Sequence, residues 1–311
     1  MNSLRVADVS VIIVNYNGAE VLAEAIDSVL ALEPSPLELI VLDNGSTDQS
    51  PAIIDRYSRN DARVRPIMAG ENLGVAGGRN LGASYADGQA LAFLDADGRA
   101  TETWLASAVN CLNRFPRAGA VAPLVLTEGG QTINGAGSFL DPNGHGRDRL
   151  WGEPLIQHQE EIAGWAGQCV DYPMGCGMVI RVAGLEEIWP LDDRLPKWHD
   201  DTELGIRIRR MGYETIFWPE SVVLHIGGHS DPASHYERHW LGEEARLRLL
   251  IKYYAWTRVL ANVASLWMHG ISGRRTRPEV YGEVLEVFGR VRRHLDDVLT
   301  IRQEWQRMRK G

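Results

Sequence analysis

Residues 9–48 read VSVIIVNYNGAEVLAEAIDSVLALEPSPLELIVLDNGSTD, and their order decides the fold class. Val9–Val14 is a β-branched run ended by the polar, Gly-containing NYNG, which is how a strand buried on both faces terminates. Over Glu20–Leu32, apolar residues fall at Val21, Leu22, Ala25, Ile26, Val29 and Leu30, the spacing of a helix with one buried face. Leu37–Leu42 is a second strand, stopped by DNGSTD. Further along, Ser50–Tyr57 predicts a helix with Ser50 as N-cap and Pro51 at its first position. Val64–Met68 predicts a third strand, Gly78–Ala86 a helix after a Gly-rich loop, and Ala90–Leu94 a fourth strand ending at Asp95. Strand–helix alternation at this pitch belongs to a doubly wound α/β sheet with right-handed crossovers. Ligands on such sheets sit beyond the carboxyl ends of the strands, where NYNG, DNGSTD and DADG all fall.

After residue 120 the pattern loosens. Gly129–Gly152 holds seven glycines and reads as long loops or hairpins, whereas Val179–Arg181 and Thr215–Trp218 read as strands. Trp198–Met211 predicts a helix that begins in acids and ends in Arg207, Arg209 and Arg210, matching the macrodipole. From about residue 240 the chain turns amphipathic: Leu249, Tyr253, Trp256, Leu260, Val263 and Trp267 step by 4, 3, 4, 3, 4 along one helical face. SGRRTRP breaks that run, and a second helical stretch starts at Glu279. The expected division is an α/β domain over 1–239 and a helical extension over 240–311.

Charge narrows the function classes. The 311 residues carry a net −9, but 240–311 hold 14 basic and 8 acidic residues, leaving −15 on 1–239. An acidic body repels nucleic acid, and repels phosphates unless a cation intervenes. The basic tail suits an anionic surface. Cys111, Cys169 and Cys176 form an odd set without a CxxC pair, which argues against a disulfide framework or zinc knuckle and for a reducing cytosol. No signal-peptide pattern opens the chain and no run of about 18 apolar residues exists, so the expectation is a cytoplasmic protein, at most peripheral at the inner face of the membrane.

Several clusters can carry chemistry, each with a plainer alternative. Asp95-Ala96-Asp97 directly follows a strand; its carboxylates suit a hard cation such as Mg²⁺ or Mn²⁺, though a solvated Asp-rich turn has the same sequence. Asp43 is placed to accept bonds from a nucleobase or ribose, or else forms an Asx-turn. Gly74-Val75-Ala76-Gly77-Gly78-Arg79-Asn80 has neither P-loop nor Rossmann spacing; its Arg79 can balance a phosphate or the acidic pair. Asp200-Asp201 opens a helix, either as first-turn acids or as a base. His225 closes an apolar stretch, either as a polar loop residue or as a metal ligand.

Taken in order, VSVIIVNYNGAEVLAEAIDSVL, LELIVLDNGSTDQS, ENLGVAGGRNLG and LAFLDADG resemble glycosyltransferase family 2, over residues 9 to about 229. YPMGCGMVIR and KWHDDTELGIRIRRMGYETIFWPESVVLH resemble its bacterial rhamnosyl- and galactofuranosyl-transferase branch. The resemblance implies a GT-A fold, Rossmann-like with a mostly parallel sheet flanked by helices, here with a C-terminal helical extension. It implies that Asp43 reads uracil or thymine with Asn15 and Tyr16 lining the pocket, that Trp198 joins the donor site, and that Arg79 lies near the diphosphate. Asp95 and Asp97 would hold ribose and a Mn²⁺ or Mg²⁺ ion, with His225 as a further ligand. Asp201 matches the second acid of the family's Glu-Asp pair and would be the base. Asp200 stands where the family has Glu, which leaves open which of the two acids is the base.

The implied activity is inverting transfer from a UDP- or dTDP-sugar to a glycan, lipid-linked or other hydroxyl acceptor, with peripheral membrane contact through the C-terminal helices as one reading of the basic tail. The competing readings are a sugar-1-phosphate nucleotidyltransferase, which NYNGAE disfavours by lacking a basic residue after the first strand, and an inactive carbohydrate-binding or assembly subunit.

Overall fold

The computed structural model describes residues 3–183, 188–195, 199–227, 235–274 and 278–308. The chain divides into two compact units: Met1–Phe139, Arg147–Asp193 and Asp200–Pro232 form the first; Leu140–Gly146, Arg194–His199 and Ala233–Gly311 form the second.

The first unit begins with β1 (Val9–Asn15), α1 (Leu22–Leu30), β2 (Glu38–Asp43), α2 (Ser50–Asn60), β3 (Val64–Met68), α3 (Gly74–Ser84) and β4 (Ala90–Asp95). It continues with β5 (Gly98–Ala100), α4 (Trp104–Arg114), β6 (Ala118–Thr127) and β7 (Ile133–Gly135), then a small ribbon of β8 (Ser138–Leu140) and β9 (Gly146–Asp148). After α5 (Gln159–Gly164) come β10 (Cys169–Val170), β11 (Val179–Arg181), α6 (Asp200–Arg210) and β12 (Glu214–His225). The main sheet runs β10-β12-β6-β11-β4-β1-β2-β3, with β5 on β12 and β7 on β6. β3, β2, β1 and β4 are parallel; β11 lies antiparallel between β4 and β6.

Period-two alternation along these strands feeds two cores. Val9, Val11 and Ile13 of β1, with Leu39 and Val41 of β2, pack on the face covered by α1, α2 and α4. Ile12, Ile40 and Phe93 face the other way, toward Leu204 and Ile208 of α6. Burial on both faces is why these strands read as unbroken apolar runs. The register pairs Asn15 with Asp43 and Val14 with Asp95, bringing the polar strand ends to one edge.

Local signals were overridden in places. Ser50 is the first residue of α2 and not its cap; its N–H donates to Asp48 Oδ1 at 3.0 Å, so Asp48 does the capping. The Gly-rich stretch before Gly78 is not a loop, because α3 starts at Gly74. A Cβ at Gly78 would meet Val14 Cγ1 at 2.6 Å, and one at Gly82 would meet Ile12 Cγ2 at 2.6 Å. Close packing on β1 therefore outweighs glycine's poor helix propensity. The strand read at Thr215–Trp218 extends through Val222–Leu224 into the single long β12.

The second unit contains α7 (His235–Tyr253), α8 (Trp256–Gly273), α9 (Pro278–Arg293) and α10 (Leu295–Met308) around Trp240, Leu250, Val259, Leu266, Val284 and Val287. The single stripe from Leu249 to Trp267 is not one face. The chain breaks between α7 and α8; Leu249 and Tyr253 are buried, while Trp256 and Leu260 are exposed.

α6 approaches the strand connection 171–172 so closely that a Cβ at Gly205 would lie 2.3 Å from the Asp171 carbonyl oxygen and 2.4 Å from Tyr172 Cβ. Gly205→Ala is expected to lower stability by about 1–3 kcal/mol through overpacking. An unchanged urea midpoint would show that α6 can retreat at no cost.

Candidate active site

Asn15, at the end of β1, is fully buried. Its Nδ2 faces Asp43 Oδ1 at 3.5 Å and donates to Ser46 Oγ at 3.3 Å. Its Oδ1 is buried with no hydrogen-bond partner among the described residues. A Cβ at Gly18 would lie 2.4 Å from that oxygen, so glycine keeps the space open. Asp43 Oδ2 accepts the Ser46 N–H at 2.9 Å, so the DNGS segment does turn on its aspartate, and Oδ1 is directed at Asn15. Asn44 ties this turn to the next loop, donating to the Gly74 carbonyl and accepting from the Leu73 N–H. Tyr16 follows Asn15 and is 39% exposed.

Arg79 of α3 is buried between two acids. It donates to Asp200 Oδ2 at the start of α6 and, at 3.1 Å, to Asp95 Oδ1 at the end of β4; its guanidinium also lies 5.9 Å from the Phe93 ring centroid. A Cβ at Gly175 would come within 2.5 Å of Arg79 Nη2, so a side chain there would push on the guanidinium. Burial would lower the Arg79 pKa, but the charges of Asp200, Asp95 and Asp201 outweigh it and raise it. Of the Asp95–Asp97 pair that the sequence reading set against Arg79, the structure brings Asp95 to it, together with Asp200, which that reading did not link to it.

His225 ends β12 opposite Gly98 of β5. Its Nε2 lies 3.3 Å from Asp97 Oδ1 and 3.8 Å from Asp95 Oδ2. Burial opposes the charged imidazole, yet the Asp97 bond and the two carboxylate charges win and raise its pKa. The His225 Nδ1 is buried without a hydrogen-bond partner among the described residues. Asp95, Cys176 and His225 bring ligating atoms within 4.8 Å of one another. Carboxylate, imidazole and an unmet imidazole nitrogen fit a divalent cation. Cys176 escaped the sequence reading because it lies 81 residues from Asp95 and has no paired cysteine.

The acids opening α6 differ sharply. Asp200 is buried and bonded to Arg79. Asp201 has its pKa pushed up to about 7, first by burial and then by Asp200 and Asp148; Arg79 and the Thr202 N–H oppose this. Asp148 is itself pushed up by burial although Ser138 Oγ donates to it at 2.5 Å, and burial with the Asp201 and Asp148 charges raises the Tyr172 phenol. Asp148 and Tyr172 thus belong to the surroundings of Asp201, which no short motif signalled. His199, just before α6, has φ 71°. Trp198 lies outside the described residues.

Fold and site define a GT-A glycosyltransferase. The architecture matches GalNAc-T7 solved with UDP, GalNAc and Mn²⁺, at TM-score 0.61, 21% identity, 78% of this chain and 47% of that one. It also matches the Pyrobaculum calidifontis mannosyltransferase PcManGT with GDP-Man and Mn²⁺, at TM-score 0.55, 17% identity, 93% of this chain and 87% of that one. The family model described as glycosyl transferase family 2 matches residues 10–189, and the chain belongs to that family. An uncharacterised glycosyltransferase of Nostoc sp. is 31% identical over 186 residues, covering 59% of this chain and 54% of the relative. An N-acetylglucosaminyl-diphospho-decaprenol L-rhamnosyltransferase of Mycobacterium tuberculosis is 25% identical over 265 residues, 74% of this chain and 80% of the relative. The chain thus spans about half the length of the Nostoc relative and of GalNAc-T7.

Because the folded Asp201 holds its proton more tightly than the unfolded one, its ionisation costs stability as pH rises from about 4 toward 7. Asp201→Asn removes that cost. The variant is expected to melt higher than wild type above pH 7, with the gap closing as pH falls toward 4. A gap independent of pH would contradict the raised pKa.

Proposed function

We propose that the chain is an inverting, divalent-metal-dependent glycosyltransferase moving a sugar from a UDP- or dTDP-sugar to a hydroxyl of a glycan or lipid-linked acceptor. The observation that carries this reading is the split pair at α6: one acid locked on Arg79, its neighbour poised near neutrality. The two structural neighbours, solved with UDP and with GDP-Man and both with Mn²⁺, support a nucleotide-sugar donor and a divalent metal, and the mycobacterial relative's diphospho-decaprenol name supports a lipid-linked acceptor.

In this reading Asn15, Tyr16 and Asp43 receive the pyrimidine, and the unpaired Asn15 Oδ1 accepts a donor from the base. Asp95, Asp97 and His225 hold Mn²⁺ or Mg²⁺, which when bound neutralises charge on the diphosphate. Arg79 adds positive charge to an otherwise acidic site and fixes Asp200. Asp201 takes the acceptor hydroxyl proton while that oxygen bonds to the anomeric carbon and the bond to the diphosphate breaks. A base near 7 is well matched to this task at neutral pH. One displacement inverts the anomeric carbon, by the geometric logic that separates single from double displacement in glycoside hydrolysis.

A lipid-linked acceptor also fits α8. Leu260, Met268 and Ile271 are 64%, 63% and 51% exposed, Trp256 and Trp267 lie on the same side, and the helix carries no Asp or Glu. An apolar stripe on an acid-free helix suits the surface of an anionic bilayer. Among the described residues, no helix is long and apolar enough to cross a membrane. Arg275 and Arg277, part of the basic tail, lie outside the described residues.

Asp201→Asn is expected to keep donor binding and lose turnover by at least about a hundredfold, the usual scale of general-base loss. In wild type kcat/KM should fall as pH drops through about 7. A retained anomeric configuration by product NMR would sink the single displacement. For the membrane contact, the double variant Leu260→Glu with Met268→Glu should stop pelleting with vesicles rich in anionic phospholipid; equal pelleting dismisses it.

A further inference from the structure

We propose that Asp148 is a second acceptor-binding carboxylate, taking the hydroxyl beside the one that Asp201 deprotonates, so that the reacting ring of the acceptor is a neutral sugar with two neighbouring hydroxyls. The inference rests on the reading of Asp201 as base proposed above and specifies the substrate class of that site.

The placement follows from α6. Gly205 presses on the 171–172 connection, where its Cβ would lie 2.4 Å from Tyr172 Cβ. Asp201 stands one turn earlier on the same helix face, toward the same neighbour. Tyr172 is bridged antiparallel to Ser138 of β8, and the Ser138 carbonyl accepts the Asp171 N–H at 2.9 Å. From this joint the Ser138 hydroxyl donates to Asp148 Oδ1 of β9 at 2.5 Å. Helix and ribbon thereby bring Asp201 and Asp148 to one tyrosine. The electrostatics agree: the Asp148 charge acts on Asp201, and both act on the Tyr172 phenol.

Each acid is half-buried with one oxygen engaged. Ser138 holds Asp148, the Thr202 N–H holds Asp201 at 2.6 Å, and neither second oxygen has a hydrogen-bond partner among the described residues. A carboxylate that only supports the fold looks different. Glu38, which starts β2 at the other end of the strands, is buried with both oxygens met. Its Oε1 accepts from Ser10 Oγ at 2.5 Å and from the Asp87 N–H at 2.8 Å, and its Oε2 is paired with Arg65. Asp148 forms no ion pair among the described residues; burial and the Ser138 bond are what act on it. An open carboxylate oxygen accepts a hydroxyl proton and repels an anion. Two of them beside one tyrosine suit two hydroxyls of one ring. A ring carrying its own carboxylate would meet like charge twice and be rejected.

The test uses the full-length protein with Mn²⁺ and with UDP-glucose, UDP-N-acetylglucosamine and dTDP-rhamnose as donors. Octyl glucoside, octyl mannoside, octyl galactoside and octyl glucuronide serve as acceptors, and mass spectrometry identifies products. Wild type is expected to glycosylate a neutral octyl glycoside, preferring it over the glucuronide by at least about tenfold in kcat/KM. Asp148→Asn keeps an oxygen for Ser138 but replaces the open oxygen by an N–H donor. It should bind UDP as wild type does, by calorimetry, yet lose at least about tenfold in kcat/KM for the neutral acceptor, mainly through acceptor KM. The glucuronide should change by less than about threefold, so that discrimination narrows, and Asp148→Glu should recover part of the neutral-sugar rate. A purely structural Asp148 would lower both acceptors together, and that outcome overturns the proposal. So does transfer to the glucuronide as readily as to neutral sugars, or to no octyl glycoside at all. Turnover surviving in Asp201→Asn instead overturns the base reading on which the proposal rests.

Discussion

A guanidinium buried between carboxylates from distant parts of the chain is the constraint on which the first unit's site depends. Arg79 joins α3 to Asp95 on β4 and to Asp200 on α6, the last of these 121 residues away. Removing one member of such a pair leaves an uncompensated buried charge, at a cost of about 3–5 kcal/mol. The sequence must therefore hold all three together: glycines at 78 and 82 let α3 settle on β1, Gly205 lets α6 close on the 171–172 connection, and Gly175 makes room for the guanidinium itself. Close packing of two helices on one face of the sheet serves one ionic contact. Arginine suits that place because its planar fork can bond two carboxylates at once, which a lysine ammonium cannot match in direction.

Electrostatic balance explains why the site is built this way. Residues 1–239 carry −15, and the site gathers Asp43, Asp95, Asp97, Asp148, Asp200 and Asp201. An anionic nucleotide would be repelled by so many carboxylates. Arg79 offsets part of that charge, the Asp201 carboxyl is pushed up to about 7, and burial shifts Asp148 in the same direction. What remains is concentrated at Asp95 and Asp97 beside His225, where a cation gains most from it. In the proposed reading, that acid excess is what would attract a cation, and the cation would in turn make the site hospitable to phosphate.

The parts of this molecule legible in the sequence were those set by local pattern. β1, β2 and β4 stand out as apolar runs because parallel strands are covered on both faces, and their polar ends mark the edge where ligands bind. Asp43, Asp95, Asp97 and His225 could be picked out for the same reason. Glycine-rich α3 misled, since the packing that repays glycine's low helix propensity comes from β1, seventy residues earlier. The stripe from Leu249 to Trp267 misled differently: identical periodicity continues across the break between α7 and α8, but one segment faces a core and the other solvent. Cys176, Asp148 and Tyr172 carry no signal of their own, because what matters about them is proximity to Asp95 and Asp201 across the fold.

The two aspartates opening α6 show how environment sorts chemically identical side chains. From sequence alone either Asp200 or Asp201 could abstract a proton, since both sit in the first turn and both gain from the helix dipole. The fold breaks that symmetry. Asp200 is committed to Arg79 by a buried ion pair. Asp201 has no such bond to the guanidinium; it is desolvated, pressed by Asp200 and Asp148, and accepts only the local Thr202 N–H and hydroxyl. In the reading proposed above, Asp201 is the base and Asp200 the anchor that keeps Arg79 in place. The substitution of Asp for the expected Glu at 200 then has a geometric reading. The shorter side chain still reaches the guanidinium from the first turn of α6, a helix that Gly205 lets pack tightly on the 171–172 connection.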